Sequence, residues 1–468
     1  MNHSRTSGAS VYELTKVKSI SFSAEEPDKP VSVTWSHTPP PEPISPPISR
    51  AASERSFGED ERTQASVTGL TTFEYIIDAT GRAGIISTKY LKNRHFNASL
   101  KNIAVWGYWT NTGVYGVGTH KEGAPWFEAL TGELDIQVQL ISGAECVSDE
   151  SGWAWFIPLH DGTTSVGVVM NQKCYNDLKD TPRPHPIRTF DTPTSSMVER
   201  YLSNLSFAPG LVKLLTPGGK MIQGSVKSAS DYSYSAPSYA GNRYRIIGDA
   251  GAFIDPFFSS GVHLALTSAL SAAASICASI RGDCSELDAG NWHTRRVATS
   301  YTRFQVVVLS AYKQIRAQNV DVLADVDEDN YDRAFSFLRP VIQGASDMGK
   351  QLTDAELQRS LDFCVNLFNP TDADEQDKPV QAPKIGKELL DIATPTIDPR
   401  FLENALLRGS GDAKTNATSV ENTMLLKKIN ARKVIHTEYN ANNMESEPLD
   451  GLVMKLEKGR LGLTLVSA

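Results

Sequence analysis

One stretch, YRIIGDAGAFIDPFFSSGVHLAL at residues 244 to 266, restricts the fold of this chain more than any other. It begins as an apolar strand, stops at Gly248-Asp249, turns, and enters a helix of small residues through Ser260-Gly261. A parallel strand that ends on a carboxylate delivers it into the crevice where α/β sheets bind ligands, and an acid there suits ribose or ribityl hydroxyls. The stretch therefore predicts an α/β fold in which Asp249 accepts hydrogen bonds from a polyol.

The helix of the same stretch predicts an anion site at Ser260-Gly261-Val262. A helix start offers unpaired N–H groups and the positive end of the helix dipole, which together attract anions. Gly261 has no Cβ, so a small anion or a flat ring can approach the backbone closely. The alternative is an ordinary strand-turn-helix in which Ser260 only caps the helix. Because the strand-end acid and the helix start lie so close in sequence, we favour ligand binding.

Composition narrows the partners of the chain. Its 468 residues carry a net charge of −8, which argues against nucleic-acid and anionic-membrane partners because both require a basic surface. The five cysteines are scattered without a C-x-x-C pair, and the N-terminus lacks the apolar segment of a signal peptide, so we expect a cytoplasmic protein. The uncharged run from Pro256 to Ile280 is expected to form a buried helix rather than a membrane span.

Local patterns predict strands first and helices later. Strands are expected in VYELTKVKSISFS, VSVTW, FEYIIDATG, KNIAVWGYW and GWAWFIPLHDGTTSVGVVMN, which are rich in β-branched and aromatic residues. The Pro- and Ser-rich segment at about 36–66 has little to bury and predicts a disordered loop. Helices are expected to predominate after residue 260, including TDAELQRSLDFCVNLF, and a terminal hairpin is expected to turn at Lys458-Gly459.

A second motif, W-x-W-x-I-P, is formed by Trp153, Trp155, Ile157 and Pro158. Together with the Gly-Asp stretch, in this order, it resembles the flavin-dependent halogenases of fungal secondary metabolism, which act on phenolic rings. The likeness covers most of the chain. It implies the glutathione-reductase-type fold of the aromatic hydroxylases, with an α+β substrate part. On this basis residues 1–300 form a partial FAD-binding and substrate-binding core, and residues 301–468 form a mainly helical C-terminal region.

The resemblance also implies roles for the residues already singled out. Reduced FAD, supplied by a separate flavin reductase, reacts with oxygen and oxidises chloride to hypochlorous acid. By analogy with the family, Ser260 and Gly261 hold chloride, Val262 contacts the flavin ring, and Asp249 binds the ribityl chain. Gly81 in the sequence DATG would let a strand end pack close to the dinucleotide, although Asp78 is equally consistent with a plain strand-end acid.

The two tryptophans have two interpretations. The resemblance implies that Trp153 and Trp155 line the passage from flavin to substrate, which favours halogenation over hydroxylation. Residues at alternate positions of a strand face the same side of the sheet, however, so both are also consistent with simple core packing.

The chain also departs from the family pattern. It contains no G-x-G-x-x-G turn between a strand and a helix for the FAD diphosphate. The lysine that directs the oxidant onto the ring is not found, because Lys89 and Lys92 lie beyond DATG. The resemblance places Met1 well inside the family's first domain, so we expect the chain alone to bind FAD weakly. Residues 131–150 interrupt the family's pattern, either as a surface insertion or as translated non-coding sequence.

Three hypotheses follow from these patterns. The first is a halogenase that chlorinates an electron-rich phenolic ring in the biosynthesis of a polyketide or isocoumarin-type mycotoxin. The second is a flavin-dependent aromatic hydroxylase, and the third is an inactive remnant that no longer binds flavin. Product analysis with and without chloride separates the first two, and flavin content identifies the third.

Overall fold

The computed structural model describes residues 1–39, 66–97, 101–119, 122–130, 152–178, 196–230, 233–316 and 443–466. Four predicted features therefore lie wholly or mostly outside the described residues. They are most of the loop at 36–66, the insertion at 131–150, the helix at 353–368 and most of the C-terminal region from 301 onward.

An antiparallel sheet forms the centre of the described structure, and its longest strands lie in the β-branched and aromatic runs that predict strands. Its strand order is β10-β6-β9-β8-β7, and β11 also pairs with β6. Trp155 of β8 pairs with Gly167 of β9, and Trp106 of β6 pairs with the same glycine from the other side. The strands are β6 (Asn102–Thr110), β7 (Trp126–Ala129), β8 (Gly152–Pro158), β9 (Thr164–Asn171), β10 (Lys220–Met221) and β11 (Lys227–Ser230).

Both faces of this sheet are covered. One face of the sheet buries Trp109 and Phe156 against Leu205, which follows α3, and against three short helices. These are α2 (Gln172–Asp177), α3 (Ser196–Asn204) and α4 (Pro209–Leu215). The opposite face buries Trp153 against Tyr312 of a long helix and against Ile254 of the Gly-Asp stretch. The tryptophan strand therefore packs directly on the segment that the sequence marks as a ligand site.

The parallel strand pair expected of an α/β fold is short. Strand β14 (Tyr244–Ile246) pairs in parallel with β4 (Ile76–Asp78), and β13 (Ala240–Gly241) pairs antiparallel with β14. The register places Ile246 opposite Asp78, so the two strands end at the same edge. Within the described ranges, parallel pairing is confined to these two strands.

Three antiparallel strands form a separate sheet near the N-terminus, in the order β1 (Thr15–Phe22), β2 (Pro30–His37) and β3 (Val67–Thr72). The sequence does not predict strand β3, because VTGLTT has no apolar alternation. In the structure most of its residues are exposed. The prediction that a disordered loop begins at residue 36 is wrong for residues 36 and 37. Ser36 and His37 pair with Thr68 and Val67 as the end of β2.

Two long helices follow the Gly-Asp stretch, α5 (Gly261–Arg281) and α6 (Glu286–Arg316). The predicted boundary at residues 300 and 301 falls within α6. Helix α5 alone among the described helices has the length and composition to cross a membrane, and 33% of its most apolar window is buried. The expectation of a buried helix holds for one face only, since Val262 and Leu266 are 74% and 67% exposed.

The predicted terminal hairpin is confirmed. Strand β15 (Leu452–Lys455) pairs antiparallel with β16 (Gly462–Leu465), after the short helix α7 (Asn443–Ser446). Gly459 lies in the turn with a φ of 80°. Leu452, Met454 and Leu463 pack on Trp292 and on the small residues of α5, so the hairpin covers part of the groove between the two long helices.

The remaining short elements are α1 (Asn2–Thr6), β5 (His95–Phe96) and β12 (Tyr234–Ser235).

Candidate functional site

Two short turns meet where strands β4 and β14 end. A 3₁₀ turn, Gly81–Ala83, follows the DATG strand, and a second one, Gly248–Ala250, follows the Gly-Asp strand. These two turns contact each other. Gly81 and Asp249, predicted separately from the sequence, therefore lie at the same edge of the same strand pair.

The two strand-end acids differ in what they bind. Asp78 is buried, and its carboxylate accepts hydrogen bonds from the Thr80 backbone at 3.0 Å, the Thr80 hydroxyl at 2.6 Å and the Ile86 backbone at 2.6 Å. In the part of the chain that the structure describes, no side chain or N–H group donates a hydrogen bond to the Asp249 carboxylate. Asp78 is therefore a structural acid that holds the DATG turn, whereas Asp249 remains available to a ligand.

The backbone around Asp249 is held by groups that the sequence did not mark. The Tyr234 hydroxyl donates to the Asp249 carbonyl at 2.6 Å, and Arg94 Nη2 donates to the Ala250 carbonyl at 3.1 Å. The Arg94 guanidinium also lies 3.9 Å from the centroid of the Tyr234 ring. Burial raises the pKa of the Asp249 carboxyl above its ordinary value, while the charges of Arg82 and Arg94 partly oppose this effect.

Gly81 adopts a conformation that suits its predicted role. Its φ is 62°, which is in the left-handed region, and other residue types adopt this region only with strain. Among the residues that the structure describes, none has an atom within 4 Å of the position a Gly81 Cβ would take. The outer side of the turn is therefore open, and a ligand can approach the backbone there.

The start of helix α5 has the features of an anion site. The first intrahelical hydrogen bond runs from the Leu264 N–H to the Ser260 carbonyl at 2.9 Å, so earlier N–H groups of the turn lie outside the helical ladder. The Ser260 side chain makes no capping hydrogen bond. Its hydroxyl is fully buried and has no partner among the described residues. Ser260 therefore stands at the N-cap without capping the helix through its side chain, and the anion site stays a prediction.

Gly261 and Val262 complete this turn and are both exposed. No atom of the described ranges lies within 4 Å of the position that a Gly261 Cβ would take. Further along α5, Ser268 Oγ accepts a hydrogen bond of 2.9 Å from the Gly248 N–H. Since a helix rises about 1.5 Å per residue, the Asp249 turn lies about 10 Å along the helix from Gly261. The helix therefore fixes the separation between the predicted polyol acceptor and the predicted anion site.

The two tryptophans lie on one face of β8, as their alternation predicts. Their ring centroids are 5.5 Å apart, and the Trp153 ring packs edge-on against Phe257 at 4.9 Å. Trp153 is buried in the core, whereas Trp155 is partly exposed and donates to Ser165 Oγ at 3.1 Å. The tryptophans thus pack beneath the loop that leads into helix α5. Core packing is correct for Trp153, and a wall beside the helix start is compatible with both residues.

A buried histidine fixes the strand that delivers Asp249. His293 Nε2 lies 3.1 Å from the Ile246 carbonyl, and Nδ1 lies 2.9 Å from Ser271 Oγ. A carbonyl only accepts, so Nε2 carries the proton and Nδ1 accepts from the serine hydroxyl. Burial lowers the pKa of His293 to about 3, so the imidazole is neutral at ordinary pH.

This arrangement predicts a pH dependence of stability. The unfolded chain takes up a proton at His293 below about pH 6.5, while the folded chain does not until about pH 3, so folding stability is lost as the pH falls through this window. Between pH 7.5 and 5.5 we expect the parent to lose about 1.4 kcal/mol relative to His293→Gln. Urea denaturation at both pH values measures the difference, and His160→Gln, at an exposed histidine, is the matched control. Equal losses in parent and His293→Gln would contradict the assignment.

Comparisons with known proteins identify the family. The tryptophan halogenase family model matches residues 126–321. The chain is 44% identical over 464 residues to the flavin-dependent halogenase armH1 of Armillaria mellea, covering 99% of this chain and 77% of that protein. It is 42% identical to the flavin-dependent halogenase ascD of Acremonium egyptiacum, covering 98% of this chain and 72% of the relative.

Two solved halogenase structures are also similar to the chain. The flavin-dependent halogenase CmlS is 22% identical to the chain, with a TM-score of 0.45 over 79% of this chain, and the chain spans 53% of its length. The chondrochloren halogenase CndH is 21% identical, with a TM-score of 0.46, over 78% of this chain and 71% of that one. The identities to armH1 and ascD extend over nearly the whole chain and confirm the family that the two motifs resemble. The chain belongs to the flavin-dependent halogenases, a family of FAD-dependent oxidoreductases.

Proposed function

We propose that this protein chlorinates an electron-rich phenolic ring, using reduced FAD, oxygen and chloride. The observation that carries the proposal is the start of helix α5, where the exposed residue Gly261 follows Ser260, whose buried hydroxyl has no partner among the described residues. Such a site binds a small anion through main-chain donors and the helix dipole. No lysine is needed there, which matters because an amine would consume the oxidised halide.

The residues around helix α5 fit a flavin. The Asp249 carboxylate is held by its backbone and accepts no hydrogen bond from the described protein, so it can accept one from a ribityl hydroxyl. Val262 presents an exposed apolar side chain to a flat ring, and the open side of Gly81 permits close approach of the dinucleotide. FAD, reduced by a separate flavin reductase, supplies the electrons that activate oxygen. In this arrangement Asp249, for the ribityl chain, and the main-chain donors at Gly261, for the halide, would lie about 10 Å apart along helix α5.

The tryptophans give a reason for chlorination rather than hydroxylation. Trp153 and Phe257 fill the space beneath the helix start with aromatic rings, and Trp155 extends this wall toward solvent. A wall here would separate the aromatic substrate from the flavin while a small oxidised halide passes. Electrophilic chlorination requires an activated carbon, so a phenol ring with a hydroxyl ortho or para to that carbon is the substrate class we expect. The reaction takes place in the cytoplasm, where flavin reductases are available.

Because weak FAD binding is expected of the chain alone, the test is product analysis of the protein with FAD in excess, a flavin reductase, and a resorcinol as the probe. With chloride present, we expect a product in which one chlorine replaces one hydrogen, and without halide we expect none. A product that gains one oxygen irrespective of chloride would establish the aromatic hydroxylase instead. Flavin bound without either product contradicts both enzymes, and failure to bind flavin identifies the inactive remnant.

Asp249→Ala tests the polyol role directly. Removing a charge-assisted acceptor for a ribityl hydroxyl costs about 1.5 to 3 kcal/mol, which is roughly a tenfold to hundredfold loss of FAD affinity. Quenching of flavin fluorescence on titration with protein measures the affinity. Asp161→Ala, which removes an exposed acid from the turn between β8 and β9, is the control and should bind FAD like the parent. Parental affinity in Asp249→Ala would rule out the role.

A further inference from the structure

We propose that Asp255 is a positioning residue for the halide, because a buried hydrogen-bond chain from Trp153 through Tyr312 to Asp255 holds the start of helix α5 in place. This inference rests on the proposed function of that helix start. It assigns a role to two residues, Asp255 and Tyr312, that neither the motifs nor the family assignment marks.

The chain joins four elements of the fold. Trp153 Nε1 of strand β8 donates to the Tyr312 hydroxyl of helix α6 at 2.8 Å. The Tyr312 hydroxyl lies 2.9 Å from Asp255 Oδ2, and Asn102 Nδ2 of strand β6 lies 3.3 Å from the same oxygen. Asp255 itself is 0% exposed, and the other three are each less than 5% exposed.

The direction of each hydrogen bond is fixed by chemistry. An indole N–H can only donate, so the Tyr312 oxygen accepts from Trp153 and its own proton points to Asp255. The Phe257 N–H donates to Asp255 Oδ1 at 3.1 Å. Three donors therefore converge on one carboxylate. Charge-assisted hydrogen bonds of this kind are the strong ones, and this arrangement requires the ionised form.

Asp255 transmits this anchoring to the helix start over a very short distance. It is the N-cap of the 3₁₀ turn Pro256–Phe258, and Ser259 follows in a left-handed conformation with a φ of 53°. The next two residues are Ser260 and Gly261. Because the backbone between the carboxylate and the anion site is short and tightly turned, a shift of Asp255 displaces the N–H groups that would hold the halide.

Protonation of Asp255 would weaken this chain of hydrogen bonds. A protonated carboxyl is neutral and carries an O–H donor of its own, so the hydrogen bonds from Tyr312, Asn102 and the Phe257 N–H lose their charge assistance and the new O–H competes with these donors for space. Among the described residues that pack on Asp255, only Tyr312 is titratable, and no charged side chain faces the carboxyl. Burial raises the pKa of Asp255 to about 6, although the hydrogen bonds from Tyr312, Asn102 and the Phe257 backbone oppose the shift. The protonated form of Asp255 is therefore the one that does not anchor the start of helix α5.

Asparagine at this position imitates the protonated acid, which gives a sharp experiment. Asp255→Asn at pH 7.5 should behave as the parent does at pH 5, with an apparent KM for chloride raised about tenfold or more, as expected for a lost hydrogen bond to a charged group. The KM for chloride of the variant should not change between the two pH values. Tyr312→Phe removes the bridging hydroxyl and should raise the KM for chloride in the same direction.

Tyr201→Phe is the matched control. Tyr201 accepts a hydrogen bond from Trp109 Nε1 at 2.9 Å and donates to the Val166 carbonyl at 2.8 Å, on the other face of the same sheet. Tyr201→Phe therefore removes an equivalent buried tryptophan–tyrosine hydrogen bond far from the proposed halide site. Its KM for chloride should remain within twofold of the parent. If Asp255→Asn or Tyr312→Phe shows lower stability but an unchanged KM for chloride, the role is merely structural and the proposal is overturned.

A second readout separates this proposal from the proposed function. Hydrogen exchange in the flavin-free protein should be faster at the amides of residues 256–264 in Asp255→Asn and Tyr312→Phe than in Tyr201→Phe. If the parent forms no chlorinated product but these amides still respond, the proposed function fails and the anchoring role stands. If exchange in this segment is the same in all variants, the anchoring role is overturned whatever the activity.

Discussion

Gly261→Val should abolish chloride-dependent chlorination, with a loss greater than about 100-fold, because a branched side chain would cover the N–H groups at the start of helix α5. The described part of the protein has room for a Cβ here, since none of its atoms lies within 4 Å of that position. Valine is also an acceptable residue in a helix, with a propensity cost within about 0.7 kcal/mol of alanine. The loss should therefore arise from exclusion of the halide and not from misfolding.

The graded control is Ser260→Ala. The Ser260 hydroxyl has no partner in the described protein, so its removal costs the fold no hydrogen bond. It removes at most one donor to the halide while the main-chain donors remain, and we expect a mild effect of about tenfold or less. Chlorination rates at saturating flavin and varied chloride measure both variants. Unchanged chlorination in Gly261→Val would show that the halide binds elsewhere.

The sequence marks this candidate site because its signals are local. A strand, an acid and a helix start within a short stretch specify Asp249, Ser260 and Gly261 without knowledge of the rest of the chain. The same holds for the common face of Trp153 and Trp155, since the side-chain period of a strand is two. The terminal hairpin was also predictable from the Lys458-Gly459 turn.

Contacts between distant segments could not be predicted in this way. Asp78 and Asp249 look alike in sequence, and only the hydrogen bonds to Asp78 reveal which acid serves the fold. Asp255 and Tyr312 are separated by 57 positions, and their contact depends on how helix α6 packs against the sheet. The nearest sequence signal for Asp255 was the Asp-Pro pair of IDPFF, which predicts a turn and nothing about a buried carboxylate.

Exposure of helix α5 is a related case. The composition of the run from Pro256 to Ile280 predicted burial, and composition cannot show that Val262 and Leu266 face outward. Their exposure has a physical account in helix geometry, because residues four apart lie on one face, whereas the buried positions of α5 are the small residues Ser268, Ser271 and Ala272 and those that follow on the same face. The outward face is the one on which we place the flavin ring.

A buried ion pair supports the strand that delivers Asp249. Arg245 is 0% exposed, and its Nη1 lies 2.9 Å from Glu286 Oε1. Its Nε donates to Ser275 Oγ at 3.0 Å, and Nη1 also donates to the Tyr244 carbonyl at 2.9 Å. The guanidinium thus ties strand β14 to helix α5 and to the beginning of α6. Ile246, the next residue of β14, lies on the opposite face of the strand and is equally buried.

Arg245→Leu should therefore destabilise the protein strongly. Removing one partner of a buried pair costs about 3 to 5 kcal/mol, because the remaining charge is left in a low-dielectric environment. Glu286 keeps two donors, the Tyr75 hydroxyl at 3.0 Å and the Arg243 backbone at 3.0 Å, which favours the lower end of this range. Urea denaturation at pH 7.5 measures the loss.

Two further variants show whether the loss comes from the buried pair. Arg5→Leu removes an exposed ion pair with Glu13 in which both side chains are about half exposed, and it should cost no more than about 1 kcal/mol. Glu286→Gln neutralises the acid while keeping an acceptor for Tyr75 and Arg243, so in that background Arg245→Leu should cost about 0.5 to 3 kcal/mol less. Equal costs of Arg245→Leu in both backgrounds would show that the arginine stabilises strand β14 through Ser275 and the backbone carbonyls alone, with no contribution from the ion pair.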